Sequence, residues 1–156
     1  GPQEHIIECI NEGFIPILIN ILANGKSMVS SEALWALSNA TAGANKQIID
    51  FLVGQGLIKG LCHYFDNRYK SQQYHQGMNK LLVVALECIE HIMNYDDNDN
   101  KFAIQFEECG GLNFLEWVQI DDNVSNDIVD KAVFIVRQYF GEDDDDQLYG
   151  NNNDNN

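Results

Sequence analysis

The chain has 156 residues, 45% of them hydrophobic, which is enough apolar material to bury a core. Its 24 acidic residues outnumber 9 Lys and Arg, and the formal net charge of -15 disfavours nucleic acid as a partner, because phosphate recognition needs clustered basic side chains. No apolar run approaches the ~20 residues of a membrane span, and the amino end lacks a secretion-signal pattern. We therefore expect neither nucleic acid nor membrane as a partner, and basic ligands are favoured.

Helical patterns recur between residues 3 and 140, and no alternating strand pattern competes with them. Gly1-Pro2 is typical of the remnant of a cleaved tag. Three short helices are each followed by a glycine suited to a helix end with positive φ, namely Gly13, Gly56 and Gly110. The predicted short helices are 3–11, 45–53 and 101–108, and the predicted long helices are 29–42, 78–95 and 124–140.

These elements form an internal repeat of three units, 3–43, 44–95 and 96–141. Each unit is interpreted as helix, glycine turn, helix, loop and long helix, the pattern of an armadillo repeat. The middle unit carries extra residues at 66–77, a polar stretch that we expect to be a surface loop. The prediction is an all-α armadillo-repeat solenoid of three repeats with three helices each. An acidic, Asn-rich tail at 142–156 is expected to be disordered.

The helix around residues 30–43 has two unlike faces. Leu34, Leu37 and Thr41 fall at helical spacing on a core-facing stripe, whereas Glu32, Trp35 and Asn39 share a second stripe. An indole beside a carboxylate, with an amide one turn further on, suits a lysine stem and peptide backbone. The residues alone leave Trp35 either on this stripe or in the core.

Side chains that carry catalysis or metal binding are scattered. The four cysteines lack the short paired spacing of a zinc site, and the four histidines do not cluster. The sequence contains no phosphate-cradling glycine loop and no nucleophile in a strand-turn-helix context. We therefore expect a binding protein with no cofactor and no metal, not an enzyme.

Three segments resemble the carboxy-terminal armadillo repeats of importin alpha, the adaptor for nuclear import. They are Glu32-Ala-Leu-Trp-Ala-Leu-Ser-Asn-Ala-Thr41, Glu107-Glu-Cys-Gly-Gly-Leu112 and Gln138-Tyr-Phe-Gly141. The resemblance implies a right-handed solenoid that holds the eighth, ninth and tenth repeats, and a protein that shuttles between cytoplasm and nucleus. It also implies binding to importin beta through a segment absent from this sequence.

The same resemblance assigns residues to partners. Part of the minor site for nuclear localisation signals would be formed by Glu32, Trp35, Ser38 and Asn39. Glu87 and His91 would be weaker groove positions, with Phe134 and Gln138 at the matching places of the last unit. The carboxy-terminal region would bind the nuclear export receptor for importin alpha, and nucleoporins; its residues are Tyr139, Phe140, Glu142, Asp143, Asp144, Asp145 and Asp146.

Two alternatives stay open at this point. An armadillo scaffold in signalling or adhesion would share the fold but would bind acidic or extended partners. The acidic run that begins at Glu142 is compatible with a tail that only improves solubility.

Overall fold

A computed structural model describes residues 1–70 and 74–141, except for the side chains of Pro2 and Lys70. The described residues form nine α-helices and no strand, which confirms the predicted all-α solenoid with three helices per unit. The helices are α1 (Pro2–Asn11), α2 (Phe14–Asn24), α3 (Ser27–Ala42), α4 (Lys46–Gly54), α5 (Leu57–Phe65), α6 (Asn79–Met93), α7 (Lys101–Glu108), α8 (Gly111–Ile120) and α9 (Asn126–Tyr139).

A glycine separates the first and second helices of every unit. Gly13, Gly56 and Gly110 have φ values of 75°, 96° and 89°, in the left-handed region that L side chains rarely adopt. The break at Gly13 sets α2 at 92° to α1, and the repeat pattern predicted a glycine turn at all three places.

Successive units stack helix on helix. The helices α2 and α3 pack on each other and on α5 and α6 of the next unit, and α6 in turn packs on α9. Small residues at matched positions of the third helices, Ala33, Ala85 and Ala132, are all buried. The core is therefore continuous from one unit to the next, and each unit buries apolar surface that it could not bury alone.

The stretch 66–77 differs from the surface loop that its polar composition predicted. Residues Asp66–Lys70 form a π-helical turn and Gln76–Met78 a 3₁₀ turn. Tyr69 and Tyr74 are only 2% and 4% exposed. Their rings lie 5.7 and 5.2 Å from the indole of Trp117, centroid to centroid. The two tyrosines thus anchor the described part of this stretch to the third unit.

Polar contacts gather around the junction of the second and third units, and the pair of Lys46 with Asp97 joins the two. The Lys46 ammonium lies 3.0 Å from the carboxylate of Asp97 and 3.3 Å from that of Asp50. The hydroxyl of Tyr95 donates to the carbonyl of Ala44 at 3.1 Å. These bonds hold the α6–α7 connection against the start of α4.

Among the described residues, no single helix has both the length and the apolar content of a membrane span. The segments Gln3–Asn11 and Phe14–Asn24 meet those criteria only as a pair, bent by 92° at the break. The predicted tail at 142–156 lies outside the described residues.

Candidate peptide-binding ridge

Matched positions of the third helices are here called the third-helix ridge: Glu32, Trp35 and Asn39 on α3, Glu87 and His91 on α6, and Phe134 and Gln138 on α9. Those on α3 and α9 are exposed, whereas Glu87 and His91 are half-buried. On α3, Trp35 is 39% exposed, while Leu34 and Leu37 are completely buried. The buried stripe packs against α2 and α6 and so turns the indole outward. Glu32 and Asn39 are exposed beside it.

Ser38 does not share this exposure. It is 5% exposed, and its carbonyl accepts a hydrogen bond of 2.8 Å from the hydroxyl of Thr41. Ser38 is only three residues from Trp35, so its burial distinguishes the two positions more than helical spacing does. Ser38 is thus buried in this structure, and its predicted contact with a peptide stays a prediction.

His91 lies at the junction of α3 and α6 and is half-buried. Its Nδ1 is 3.0 Å from the Thr41 hydroxyl oxygen. Burial lowers the pKa of His91, and the nearby carboxylates of Glu87 and Glu90 oppose that shift. The imidazole is consequently neutral at physiological pH, and one ring nitrogen already contacts α3.

A mostly apolar groove of about 530 Å³ runs between α6 and α9. Its lining comprises Val83, Glu90, Asp127, Ile128, Asp130, Lys131 and Phe134. Phe134 is 52% exposed at the position that corresponds to Trp35. The Lys131 ammonium lies 2.8 Å from a carboxylate oxygen of Glu90. Sequence reasoning missed this groove, although Asp127, Asp130, Lys131 and Phe134 recur at the three- and four-residue spacing of one helix face.

The end of α9 carries the two aromatic residues assigned to the export-receptor region. The hydroxyl of Tyr139 donates to the side-chain oxygen of Asn94. Burial raises the pKa of that phenol. Phe140 lies 5.8 Å from Phe106 between ring centroids. Both border a cleft of about 480 Å³ that also contains Glu107. Glu142, Asp143, Asp144, Asp145 and Asp146 lie outside the described residues.

The described part of the chain brings together no group of three or more His, Cys, Asp or Glu side chains suited to a metal ion. None of the four cysteines, which all lie within that part, forms a disulfide. Complete burial raises the pKa of Cys88 to about 12, so its thiol stays protonated. The side chains of the third-helix ridge themselves offer hydrogen bonding, aromatic contact and negative charge.

Two family profiles match the sequence: the Armadillo/beta-catenin-like repeat at residues 2–42, and the Atypical Arm repeat at residues 100–155. The chain is 33% identical to importin subunit alpha-4 of Arabidopsis thaliana, over 83% of this chain and 32% of that protein. It is also 33% identical to importin subunit alpha-1a of Oryza sativa subsp. japonica, over 89% of this chain and 34% of that protein. The identity to importin subunit alpha of Saccharomyces cerevisiae is 30%, over 63% of this chain and 18% of that protein. The chain therefore spans at most about a third of the length of these relatives.

Proposed function

The chain belongs to the importin alpha family of armadillo-repeat proteins, and on that premise we propose that it is part of an adaptor that binds nuclear localisation signals. Residues 3–43, 44–95 and 96–141 would be the eighth, ninth and tenth repeats of the adaptor. Its work is binding without catalysis, in a protein that shuttles between cytoplasm and nucleus. Importin beta would bind a part of the adaptor outside this sequence.

One observation carries the proposal: Glu32, Trp35 and Asn39 lie exposed on one stripe of α3. A lysine stem across the indole of Trp35 contributes about 0.5 to 2 kcal/mol. A hydrogen bond from the Asn39 amide to peptide backbone adds about 0.5 to 1.5 kcal/mol. After the cost of association, one such pocket binds a basic signal only weakly, at best in the high micromolar range, near -5 to -6 kcal/mol. Ser38 is buried and is left out of the proposed contact surface.

The test is a titration of the ¹⁵N-labelled chain with a lysine-rich peptide, followed by amide chemical shifts. Shifts should concentrate on α3 around Trp35 and should disappear in Trp35→Ala. The matched control is Phe14→Ala, which removes an aromatic side chain of similar exposure on α2; it should leave the titration unchanged.

An acidic peptide of the same length separates the two function classes. We expect no shifts on the ridge with this peptide, because Glu32 and Glu87 repel it. Binding of the acidic peptide, with no response to the basic one, would instead favour an armadillo scaffold for other partners.

We also place the binding surface for the nuclear export receptor, and for nucleoporins, at the carboxy-terminal end. Tyr139 and Phe140 are partly exposed beside the cleft that contains Glu107. Aromatic side chains in this position are suitable anchors for a protein partner. The acidic run from Glu142 to Asp146 would add electrostatic attraction to a basic receptor surface.

A further inference from the structure

We propose that the groove between α6 and α9 is a second pocket for a basic side chain, occupied by a lysine or arginine of an extended peptide. This pocket would act together with the contact surface of Glu32, Trp35 and Asn39, here called the Trp35 pocket. The inference rests on the proposed function only because one peptide would occupy both pockets. The Trp and Asn pair predicted to bind peptide occurs only on α3, whereas this groove extends binding to the third unit.

The groove has an apolar floor with an exposed aromatic ring at its edge. Val83 from α6 faces Ile128 from α9, and Phe134 stands beside them with half of its surface open. An exposed phenyl ring over an apolar floor suits the alkyl stem of lysine or the planar guanidinium of arginine. Its volume of about 530 Å³ is ample for one such side chain.

The charges around the floor select a cation. The groove is lined by three carboxylates, on Glu90, Asp127 and Asp130, and by one ammonium, on Lys131, so its lining is net negative. Lys131 pairs with Glu90, whereas neither aspartate has an ion-pair partner among the described residues. A basic side chain entering over Phe134 therefore meets two unpaired carboxylates, and an acidic one is repelled.

The register of the solenoid relates this groove to Trp35. Trp35 follows the buried Ala33 by two residues, as Phe134 follows the buried Ala132. Because α3 packs on α6 and α6 on α9, two helix spacings of about 8–10 Å separate the pockets. An extended peptide covers that distance with about five or six residues, at about 3.3 Å per residue. Glu87 lies at the matched position between them and adds a carboxylate along the path.

The experiment compares two peptides on the intact chain by amide chemical shifts. One peptide carries a single lysine cluster, and the other carries two clusters separated by six neutral residues. We expect the second to bind about three- to tenfold more tightly, since its second cluster binds at a high effective concentration. Shifts from that cluster should fall on α9 around Phe134.

Phe134→Ala should reduce the affinity for the two-cluster peptide to that for the one-cluster peptide. The one-cluster peptide should bind Phe134→Ala as it binds the parent chain. Ile120→Ala removes another exposed apolar side chain, at the end of α8 and away from the groove, and should change neither affinity. A thermal melt of each variant checks that the fold is retained.

Lys131→Gln gives an effect of opposite sign. Removing the Lys131 ammonium leaves the carboxylate of Glu90 able to pair with the peptide. The two-cluster peptide should therefore bind about two- to threefold more tightly, which is the gain expected from one added surface ion pair. A purely structural role of the groove residues would produce no gain in affinity.

The outcomes distinguish the groove from the Trp35 pocket. If the one-cluster peptide binds near Trp35 but the second cluster adds nothing, the groove proposal is wrong and the proposed function stands. If only the two-cluster peptide binds, and Phe134→Ala abolishes that binding, the groove is supported and the Trp35 pocket is not. Shifts around Phe134 that depend on protein concentration without peptide would show a second copy of the chain in the groove and overturn the proposal.

Discussion

Trp35 is an aromatic residue that stays partly exposed within a helix whose opposite stripe is completely buried. A buried tryptophan replaced by alanine costs about 3 to 5 kcal/mol of unfolding free energy. Because much of this indole faces solvent, we expect Trp35→Ala to cost about 1 kcal/mol or less, in the range of surface substitutions. Urea denaturation followed by circular dichroism measures the difference. A loss of 3 kcal/mol or more would mean that the indole is a core residue.

His91 couples the stability of the α3–α6 junction to pH. Burial lowers its pKa in the folded state, so the unfolded chain binds the proton more readily. The contribution of His91 is therefore fully present above the unfolded pKa of about 6.5 and is lost as pH falls through and below that value.

We expect the urea midpoint to fall between pH 7.5 and pH 5.5 by more in the parent chain than in His91→Asn. Asparagine keeps a polar group near the Thr41 hydroxyl but does not titrate. Thr41→Val is a matched control, because it removes the 3.0 Å contact with Nδ1 and leaves the imidazole in place. Equal pH dependence in the parent chain and His91→Asn would contradict the assignment.

Helical periodicity put Trp35 outside the core stripe of Leu34, Leu37 and Thr41 but left its burial open, and the resemblance to importin alpha assigned it to the peptide-binding stripe. Ser38 could not be placed in the same way, because it lies only three residues from Trp35 and yet is buried. The α6–α9 groove could not be predicted from the sequence either. Its lining comes from two helices about 45 residues apart in the chain, and their register depends on how the units stack.

At the level of elements, the start of α7 depends on a single carboxylate. The two oxygens of Asp96 accept hydrogen bonds from the backbone amides of Phe102 at 2.8 Å and Ala103 at 3.0 Å. These amides belong to the first turn of α7 and have no intrahelical acceptor. Asp96 thus acts as a helix cap supplied from the loop before the helix.

Asp96→Ala should lower the unfolding free energy by about 1 to 2 kcal/mol, the value of a lost cap. Asp96→Asn keeps one acceptor oxygen and should recover part of that loss. Asp97→Ala removes the neighbouring exposed ion pair with Lys46 and should cost at most about 1 kcal/mol. Equal losses in Asp96→Ala and Asp97→Ala, measured by urea denaturation, would argue against a capping role.

The helices themselves were predictable because glycine turns and apolar periods agreed in all three units. The stretch 66–77 was not, since its polar composition indicates a loop while two of its tyrosines are buried. Each tyrosine has an apolar ring that favours burial and a polar hydroxyl that favours solvent. Whether Tyr69 and Tyr74 are buried depends on their contact with Trp117 in the next unit. That information is tertiary and is absent from the local pattern.

On the scale of the whole molecule, the chain is acidic throughout, and the surfaces proposed to bind share that charge. Carboxylates line the third-helix ridge at Glu32 and Glu87, and the α6–α9 groove at Asp127 and Asp130. A further six acids and no base lie in residues 142–156. A basic partner is therefore attracted to either end of the solenoid, and short-range contacts with Trp35, Phe134 or Tyr139 determine where it binds.

The acidic tail and the aromatic residues at the end of α9 should contribute to export-receptor binding in different ways. Deleting residues 142–156 changes the formal net charge from -15 to -9 and leaves Tyr139 in place. The deletion should weaken binding at low salt and flatten its salt dependence, because charges are screened beyond about 10 Å at 0.1 M salt.

Tyr139→Ala should instead weaken binding to a similar extent at every salt concentration, since it removes a contact surface and leaves the charge unchanged. Binding of the nuclear export receptor by calorimetry, between 50 and about 300 mM salt, measures both effects across the range in which screening grows. An affinity that the deletion leaves unchanged at every salt concentration would show that the tail has no part in recognition.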